Sequence, residues 1–538
     1  MEKHYDVIVV GGGIAGLTAT AYLSRANKKV LLIEKEPYVG GLVGSFSHQG
    51  FTFDRGARSI ESSGIVKPML KDLGIELDFL ESPVKMIFDQ ASVTLHSTDD
   101  IKTYESTLKE LYPTESMAID ALMNDIRKVM GYMDVLYGID NPLFMKMPPD
   151  MGYLTKTLLP WLFRFFPNIR KAMKYQLPIL EHIKKYTKNT SLIDLIAQHF
   201  FEATPAFFAL SYFTLYLDYQ YPRGGTGALP ISLEKYILNH AGTIQCNTEA
   251  KSIHLDGKKL IDHEGNVFTY DAIIWAADQK VLYNTMDEHS TKSSKFYSII
   301  KQKRTFLSNK KGADSVLTLY LGLDIPKEVF ESKFGPHAFV TPNLEGLSTM
   351  PLELIRNNGV FVDDKQQVFN WVNKLLELTT YEVSIPCLRD EQLSPSNQTG
   401  VILSVLFDYD LAKHIQNSGW YSTFKTFVQD KMIAVIETKY ELKLNNKIIF
   451  SSVATPLTIE RYTLNTGGSL SGWSFGNRPF PSEYKIMRVA NAVNTQLPYI
   501  YQAGQWSFNP AGIPIAVMTG KLASDKVLKS LKKLKQKR

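Results

Sequence analysis

The sequence predicts an α/β fold built on a parallel sheet, and two features of the first 34 residues support this prediction. Residues 5–10 (YDVIVV) and 29–34 (KVLLIE) are nearly continuous apolar runs, which are typical of parallel strands buried on both faces. A glycine-rich turn at residues 11–16 (GGGIAG) and a helical stretch to about Asn27 lie between them. Strand, turn, helix and strand in this order form the unit that joins neighbouring parallel strands.

The glycines of this turn have the spacing G-x-G-x-x-G, at Gly11, Gly13 and Gly16. Gly11 permits a tight turn, Gly13 lets backbone N–H groups approach a pyrophosphate, and Gly16 lets the helix pack closely on the strand. The helix N-terminus adds partial positive charge. Glu34 ends the second strand, where a carboxylate can accept hydrogen bonds from a ribose. This context predicts a dinucleotide site rather than a glycine-rich turn without a ligand.

A second glycine cluster follows the second strand, at residues 40–44 (GGLVG) and 50–56 (GFTFDRG). NAD does not require such a cluster, whereas a longer dinucleotide needs its flavin half to pass close to the backbone. Residues 51–54 alternate between apolar and polar types, which predicts a short strand that ends in a turn at Gly56. We therefore expect the dinucleotide to be FAD.

These segments resemble the FAD-binding region of the flavin amine oxidase superfamily. They are most similar to its phytoene desaturase branch, which includes carotenoid desaturases, carotenoid isomerases and retinol saturases. Three later segments are similar to motifs of the same branch, in the same order: residues 222–230 (PRGGTGALP), residues 455–463 (TPLTIERYT), and residues 503–514 together with Ser524. The resemblance therefore extends over nearly the whole chain.

A chain of 538 residues exceeds the size at which single hydrophobic cores usually divide. The resemblance implies a Rossmann-like FAD-binding domain and a discontinuous α+β substrate-binding domain with a mixed sheet and a helical cap. We expect the FAD-binding domain to comprise residues 1–62, 220–305 and 488–538. The substrate-binding domain would then comprise residues 63–219 and 306–487.

The patterns of later segments fit this division. Residues 242–255 predict two short strands, and residues 268–277 predict a buried strand that ends in IIWAA. Residues 315–323 (SVLTLYLGL) and 401–409 (VILSVLFDY) predict partner strands in a sheet under the flavin. Residues 203–217 are uncharged but fall short of the roughly 20 residues that span a bilayer, so we expect a buried element.

The resemblance also implies which residues hold the cofactor. It places the backbone of Ala250 against the adenine, with plain packing in the sheet as the alternative. Gln505 stands where the family often has Asp, and its amide can accept hydrogen bonds from ribityl hydroxyls without a charge. The expected cofactor contacts are Gly11, Gly13, Ile14, Ala15, Gly16, Glu34, Lys35, Gly41, Leu42, Ala250, Ala277, Gly504, Gln505, Gly512 and Ile513.

No acid–base pair stands out in the sequence, and hydride transfer from a substrate carbon to a flavin does not demand one. A base near the flavin could take the proton that a cationic intermediate would lose. Arg58, Glu61 and Trp506 are the candidate catalytic residues, and a purely structural role is the alternative for each. Arg58 is not expected to act as a base, because its guanidinium stays protonated.

Residues 200–221 contain nine aromatic residues, which form either core or the wall of an apolar tunnel. In the context of the family, a tunnel would suit a long polyene or isoprenoid. We expect a carotenoid-type desaturase that passes hydride to FAD. Three alternatives remain open: a flavin-dependent carotenoid isomerase or retinol-type saturase, an amine oxidase with polar groups to hold its substrate, and a lipid-binding flavoprotein without turnover.

The net charge of +6 is concentrated in residues 521–538, which hold eight basic residues and one acid. The first 520 residues hold 52 basic and 53 acidic residues, whereas a nucleic-acid enzyme would spread basic charge over its body. We therefore expect an apolar small-molecule partner and no nucleic acid. Apolar residues recur at helical spacing in the tail, which indicates either a solvated helix end or an interfacial helix on anionic membrane: Val527, Leu528, Leu531 and Leu534.

The chain has two cysteines, Cys246 and Cys387, which exclude a disulfide framework and indicate reduced thiols in a cytoplasmic protein. Some amine oxidases attach their flavin to a cysteine near the C-terminus, but no cysteine follows Cys387. We therefore expect non-covalent FAD. The histidines show no metal-ligand spacing, so no metal is expected. The first strand begins by about His4, which leaves no room for a signal peptide.

Overall fold

The computed structural model describes residues 3–145, 151–291 and 293–537. Its strands, in chain order, are β1 (Lys3–Val10), β2 (Val30–Ile33), β3 (Ser45–His48), β4 (Phe51–Asp54), β5 (Ile60–Glu61), β6 (Phe79–Glu81), β7 (Val84–Phe88), β8 (Ala91–Leu95), β9 (Tyr219–Pro222), β10 (Thr243–Gln245), β11 (Ala250–His254), β12 (Lys259–Asp262), β13 (Val267–Trp275), β14 (Ser315–Leu323), β15 (His337–Thr341), β16 (Arg356–Asn357), β17 (Val360–Phe361), β18 (Tyr381–Ser384), β19 (Thr399–Phe407), β20 (Ile448–Ala454) and β21 (Ile500–Gln502).

The α-helices, in chain order, are α1 (Ile14–Arg25), α2 (Val66–Leu73), α3 (Asp100–Leu111), α4 (Ser116–Tyr137), α5 (Met151–Tyr153), α6 (Leu159–Ala172), α7 (Ile179–Ile183), α8 (Thr190–Ala197), α9 (Ala206–Leu217), α10 (Ala228–Asn239), α11 (Gln279–Thr285), α12 (Ser294–Ser308), α13 (Glu328–Phe334), α14 (Lys365–Leu378), α15 (Tyr409–Asn417), α16 (Tyr421–Tyr440), α17 (Pro456–Thr463), α18 (Val489–Ala492) and α19 (Ile513–Lys537). A π-helical turn, Leu154–Leu158, joins α5 to α6.

The first sheet has the strand order β10–β2–β1–β13–β12–β11, and β21 pairs with β13. Strand β1 is parallel to both β2 and β13, and β21 is parallel to β13. Val7 and Val9 of β1 face a core that includes α1 and α19, while Ile8 faces a second core on the opposite side. This burial on both faces is what the apolar runs predict, and the α/β fold is confirmed.

The parallel strands of the first sheet end at one edge. Val10 is in register with Ile33 and Trp275, and Trp275 is in register with Gln502. In open parallel sheets, ligands bind in the crevice beyond the carboxyl ends of the strands. Several residues with expected cofactor contacts follow these ends directly or within two positions: Gly11, Glu34, Ala277 and Gly504.

The second sheet has the order β20–β14–β19–β18–β15–β7–β8. Strands β14 and β19 run antiparallel, with Ser315 opposite Phe407, so the predicted pairing of these two segments is confirmed. Strand β4 packs on this sheet, because Phe51 and Phe53 share a small core with Tyr320 of β14. Residues next to the second glycine cluster therefore connect the two sheets.

Helices α3, α4, α8 and α9 pack with β7 and β8 around a third core. Helix α9 lies within the uncharged segment 203–217 and is mostly buried, as expected. Within the described residues, no helix combines the length and apolar character needed to cross a membrane. The strands of the first sheet come from residues 3–33, 243–275 and 500–502. The division into two discontinuous domains at the stated boundaries stays a prediction.

Helix α19 extends through the basic tail and reaches Lys537. It continues because its apolar side chains are buried in or packed against the core of the first sheet: Val527, Leu528, Leu531 and Leu534. This packing leaves little of the apolar face free and fits the alternative of a helix end on the protein, whereas membrane contact by the tail stays a prediction. Three tail lysines are exposed on the solvated side: Lys529, Lys532 and Lys533.

Candidate active site

A cavity with a volume of about 820 Å³ lies at the carboxyl edge of the first sheet and continues to the second sheet. This volume falls within the roughly 300–1,000 Å³ that is usual for cofactor and ligand sites. The cavity wall includes most of the residues with expected cofactor contacts: Gly11, Gly13, Ile14, Ala15, Glu34, Gly41, Leu42, Ala277, Gly504, Gln505, Gly512 and Ile513. We call the end near Gly13 the nucleotide end and the end near Gly512 the flavin end.

The three motif glycines have different surroundings. A Cβ on Gly11 would lie 2.8 Å from the carbonyl oxygen of Ala276, and Gly11 has a φ of +104°. A Cβ on Gly16 would lie 2.0 Å from the carbonyl oxygen of Gly11, so Gly16 serves the contact between helix and turn. A Cβ on Gly13 would meet no protein atom within 4 Å. The protein itself requires Gly11 and Gly16, whereas Gly13 leaves space in the cavity.

Gly13 also precedes the first turn of α1 and offers no side-chain cap to it. The first N–H groups of a helix lack intrahelical partners and favour an anion. Open space in front of these N–H groups is what a pyrophosphate needs. The nucleotide end therefore fits FAD, with Gly13, Ile14 and Ala15 as the residues that would hold the phosphates.

Glu34 is held at the cavity wall by the backbone. Its Oε2 accepts a hydrogen bond from the N–H of Gly12 at 2.7 Å, and its Oε1 accepts one from the N–H of Glu36 at 2.9 Å. Burial raises the pKa of Glu34, and the two backbone hydrogen bonds oppose that rise. Each carboxylate oxygen has a second lone pair, so the group can also accept ribose hydroxyls from a fixed position.

At the flavin end, Gly504 follows β21 with a φ of +87°. Its N–H donates to Thr519 Oγ1 of α19 at 2.9 Å, and a Cβ there would lie 3.3 Å from Cβ of Ala15. Gly504 thus brings β21, α1 and α19 together. Gly512 and Ile513 stand at the start of α19, where unpartnered N–H groups can bind the flavin carbonyl oxygens.

Three residues with expected cofactor contacts are not part of the cavity wall: Gly16, which packs on Gly11, Lys35 and Ala250. Lys35 donates from Nζ to the carbonyl oxygen of Arg461 at 2.7 Å and to Glu36 Oε1 at 2.5 Å, so its side chain is engaged by the protein. Ala250 is buried in the same core as Ile8. This burial fits the alternative that Ala250 simply packs in the sheet. Ala250 is the first residue of β11, in the segment 242–255 for which two short strands are predicted. The cofactor contacts of Lys35 and Ala250 stay predictions.

Arg58 lines the cavity and is almost fully buried. Its Nη1 donates to the carbonyl oxygen of Asp54 at 2.5 Å, and its Nη2 donates to Ser404 Oγ at 3.2 Å. Trp506 also lines the cavity; its Nε1 donates to Asn465 Oδ1 at 3.1 Å. Both side chains are donors fixed by the protein, so their surroundings favour positioning over proton transfer.

Glu61, at the end of β5, is the third candidate, and its carboxylate lines the cavity. Burial, with a smaller contribution from the charge of Asp218, raises the pKa of Glu61 to about 7, against the opposing effect of a hydrogen bond from its own N–H. Glu61 sits beside the phenols of Tyr212 and Tyr219. A carboxyl group in this setting can change protonation near neutral pH.

Sequence reasoning missed a His–Glu pair in the cavity wall. His337 Nε2 lies 3.0 Å from Glu382 Oε1, and Nδ1 lies 3.3 Å from Ser59 Oγ. Tyr219 stacks on the His337 ring with an interplanar angle of 6°. Burial lowers the pKa of His337, and the facing Glu382 carboxylate opposes that shift. These residues come from separate segments of the chain, so no local motif could have revealed the pair.

The aromatic residues of segment 200–221 belong partly to the cavity wall and partly to the core. Phe201, Tyr212 and Tyr219 line the cavity. The larger group is buried core: Phe200, Phe207, Phe213, Tyr216 and Tyr221. The segment resembling a late family motif also reaches the wall, through Thr458, Ile459, Arg461, Tyr462 and Thr463. That resemblance was the signal that could have assigned these residues to the site.

Among the described residues that line the cavity there is no cysteine, and both thiols of the chain are free. His4, Asp6 and Asp271 bring potential metal-ligating atoms within 4.8 Å of one another. They lie towards the amino ends of β1 and β13, at the edge opposite the cavity. The expectation that the protein holds no metal stays a prediction.

Comparison with known proteins agrees with this geometry. The family model of flavin containing amine oxidoreductases matches residues 14–305, which is more than half of the chain. The chain is 22% identical over 554 aligned positions to "Prolycopene isomerase, chloroplastic" of Daucus carota, covering 98% of this chain and 81% of the relative. It is 23% identical over 548 positions to "4,4'-diapophytoene desaturase (4,4'-diaponeurosporene-forming)" of Staphylococcus haemolyticus, covering 98% and 99%.

A crystal structure of an oxidoreductase from Methanosarcina mazei superposes with a TM-score of 0.60 at 13% identity, covering 97% of this chain and 99% of that one. This likeness shows the shared fold. The cavity has room for a pyrophosphate at Gly13 and a helix start at the flavin end, and the family match covers the segment that builds most of the nucleotide end. The chain therefore belongs to the flavin containing amine oxidoreductase family and is an FAD-dependent oxidoreductase.

Proposed function

We propose that this enzyme desaturates a long apolar polyene or isoprenoid of the carotenoid type. The observation that carries the proposal is the set of aromatic residues that line the cavity: Phe46, Phe201, Tyr212, Tyr219 and Tyr320. Such a wall recognises an apolar chain by shape and by removal of its surface from water. The printed names of the desaturase and isomerase relatives support this substrate class.

Bound FAD supplies a hydride acceptor for the two-electron step. Desaturation of a C–C single bond also releases one proton from the neighbouring carbon. We assign this proton to a carboxylate oxygen of Glu61, which faces the cavity and titrates near neutral pH. The electron pair of the C–H bond that loses this proton forms the second bond of the new C=C. The hydrogen of the other C–H bond leaves as hydride with its own electron pair, so atoms and charge balance.

The other wall residues hold the site in shape in this proposal. Arg58 fixes the loop after β4 through Asp54 and reaches Ser404 of the second sheet. Trp506 packs edge to face on Trp473, with 4.8 Å between ring centroids. Gln505 takes the place of the family's Asp as an uncharged partner for ribityl hydroxyls. These roles, like the individual FAD contacts, are proposals.

A carotenoid isomerase is the second candidate, because the Daucus carota relative bears that name. Isomerisation leaves the substrate at the same oxidation level and needs no net proton loss. It would therefore tolerate replacement of Glu61 better than desaturation would. A retinol-type saturase would use Glu61 as a proton donor instead. An amine oxidase would use a cavity carboxylate such as Glu61 or Glu382 to hold a cation.

We further propose that the protein acts in the cytoplasm, at the surface of membranes that store its substrate. The two free thiols, Cys246 and Cys387, suit a reducing compartment. A polyene has negligible solubility in water, so an enzyme that uses one gains from contact with lipid.

Expression in cells that accumulate phytoene or lycopene tests the proposal, with pigments separated by chromatography. Desaturation predicts products with longer conjugation and red-shifted absorbance. Glu61→Gln should abolish these products, while Glu81→Gln, an exposed carboxyl on the neighbouring strand β6, should not. Cis–trans isomers without longer conjugation would favour the isomerase, and unchanged pigments would contradict both.

A further inference from the structure

Helix α6 carries an exposed stripe of apolar side chains. Leu159, Phe163 and Phe166 follow at i, i+4 and i+7, so they lie along one face of the helix. Their exposed fractions are 43%, 80% and 43%. Ile169 and Ala172, in the last turn of the helix, are buried. Contiguous exposed apolar side chains with polar surroundings mark a surface that meets a partner.

The chain around this stripe is strongly basic. Residues 151–178 contain five basic residues and no acidic residue. All five are exposed: Lys156, Arg164, Arg170, Lys171 and Lys174. An apolar stripe flanked by cations matches an anionic bilayer, because the apolar side chains enter the acyl boundary while the cations bind the headgroups.

The stripe is also connected to the cavity. Trp161 Nε1 donates to the carbonyl oxygen of Val135 at 2.6 Å and so fixes α6 on the last turns of α4. Tyr137 ends α4 and lies close to Glu61: burial raises the pKa of this phenol, and the Glu61 carboxylate raises it further. Helix α6 is therefore fixed on the helix whose last residue, Tyr137, feels the charge of Glu61.

We propose that α6 is the surface by which the protein docks on anionic membrane, with Leu159, Phe163 and Phe166 inserted at the acyl boundary. The reason for docking rests on the proposed function, because a lipid-stored substrate would enter near Glu61. A second copy of this chain is a poor occupant. A two-fold contact through the same stripe would bring five cations against five cations without an intervening acid.

The C-terminal tail is a second basic segment that could bind an anionic membrane. Unlike α6, it has no exposed apolar stripe among its described residues. Its exposed lysines can add long-range attraction, but its apolar residues are already packed in the core of the first sheet. The two segments can therefore be separated experimentally. Substitutions on α6 should weaken both the apolar and the ionic contribution, whereas substitutions of tail lysines should weaken at most the ionic one.

The test is sedimentation of the FAD-loaded protein with vesicles of phosphatidylcholine and phosphatidylserine, at low and high salt, with pure phosphatidylcholine as the reference. The native protein should sediment with anionic vesicles at low salt and be released at high salt. Phe163→Glu should lower binding about ten-fold or more, and Arg164→Ala about five-fold. Met117→Glu, at an exposed apolar residue of α4, and Lys532→Ala/Lys533→Ala should bind within about two-fold of the native protein.

Three outcomes would overturn the proposal: no sedimentation of the native protein at low salt, an equal loss in the Met117 variant, or a shift of Phe163→Glu to a smaller species in size-exclusion chromatography without vesicles. The last outcome would assign the stripe to contact between copies. Retained flavin colour in every variant shows that the fold survives. Flavin bleaching by substrate in detergent tests the proposed function separately, so failure of one is distinguishable from failure of the other.

Discussion

The carboxylate of Glu61 lies against Gly512: a Cβ on Gly512 would stand 3.0 Å from Glu61 Oε1. Glu61 ends β5, and Gly512 immediately precedes α19, so the fold brings a titratable oxygen to the helix start where flavin contacts are expected. Only a residue without a side chain leaves this approach open. Burial, with a contribution from Asp218, raises the pKa of Glu61 to about 7. A proton acceptor for the neutral range therefore borders the flavin end.

Activity should depend on the protonation state of Glu61. A base must be ionised, so kcat/KM for desaturation should rise with pH through about 7. Glu61→Gln should lose about 10²- to 10⁴-fold in rate and lose this pH dependence, with its FAD content unchanged. Glu81→Gln is the matched control. If Glu61→Gln kept the native rate and the native pH profile, Glu61 would not be the proton acceptor of the reaction.

The same carboxyl predicts a stability difference in the protein without cofactor. Its folded-state pKa lies above its unfolded value, so the folded state holds the proton more tightly between about pH 4.5 and 7. The native protein should therefore lose stability as pH rises through this window. Glu61→Gln should remove that loss and be more stable at pH 8, by up to about 3 kcal/mol. Urea unfolding at pH 5 and pH 8 measures the difference, and identical pH dependence in both proteins would contradict it.

A substitution at Gly13 tests FAD binding at the nucleotide end and should leave folding unchanged. A Cβ there meets no protein atom, so Gly13→Val should fold normally but block the pyrophosphate and give colourless protein. Gly131→Val in α4 is the matched control, because a Cβ on Gly131 also meets nothing within 4 Å. The measurement is the ratio of flavin to protein absorbance after purification. A fully yellow Gly13→Val protein would show that the phosphates bind elsewhere.

Glu34 should contribute to FAD affinity through both the ribose and the turn it holds. Glu34→Ala removes the acceptor for Gly12 and Glu36 as well as for the ribose, so FAD should bind about 10-fold more weakly or worse. Glu34→Gln should also weaken binding, because its NH₂ group would face a backbone N–H. Titration of the protein with FAD measures both dissociation constants. If both variants bound FAD as tightly as the native protein, Glu34 would have no role in FAD binding and would only end its strand.

The parts of the site that sequence predicts are those encoded within a few neighbouring residues. Gly11, Gly13 and Gly16 lie in one turn whose spacing carries its geometry, and the structure places Gly11 and Gly13 at the cavity wall, with Gly16 packed against Gly11. The Lys35 side chain donates to Glu36 and Arg461, partners that sequence spacing does not reveal, and the cofactor contact of Lys35 stays a prediction.

Long-range packing decides the remaining features. His337 and Glu382 lie 45 positions apart and meet only because β15 and β18 pair. The tail helix had the periodicity of an interfacial helix, but the same periodicity fits a helix packed on a core, and only the tertiary structure distinguishes them. The stripe on α6 shows the converse, since its apolar residues resemble core residues in sequence and are exposed in the structure.

The most direct test of the central claim is anaerobic addition of a carotene precursor such as phytoene, in detergent, to the purified FAD-loaded protein. The account predicts that the yellow flavin absorbance bleaches, and that a stoichiometric product with longer conjugation appears. Glu61→Gln should leave the flavin oxidised under the same conditions. No bleaching by any polyene, together with bleaching by an amine, would contradict the account and assign the aromatic cavity to amine oxidation.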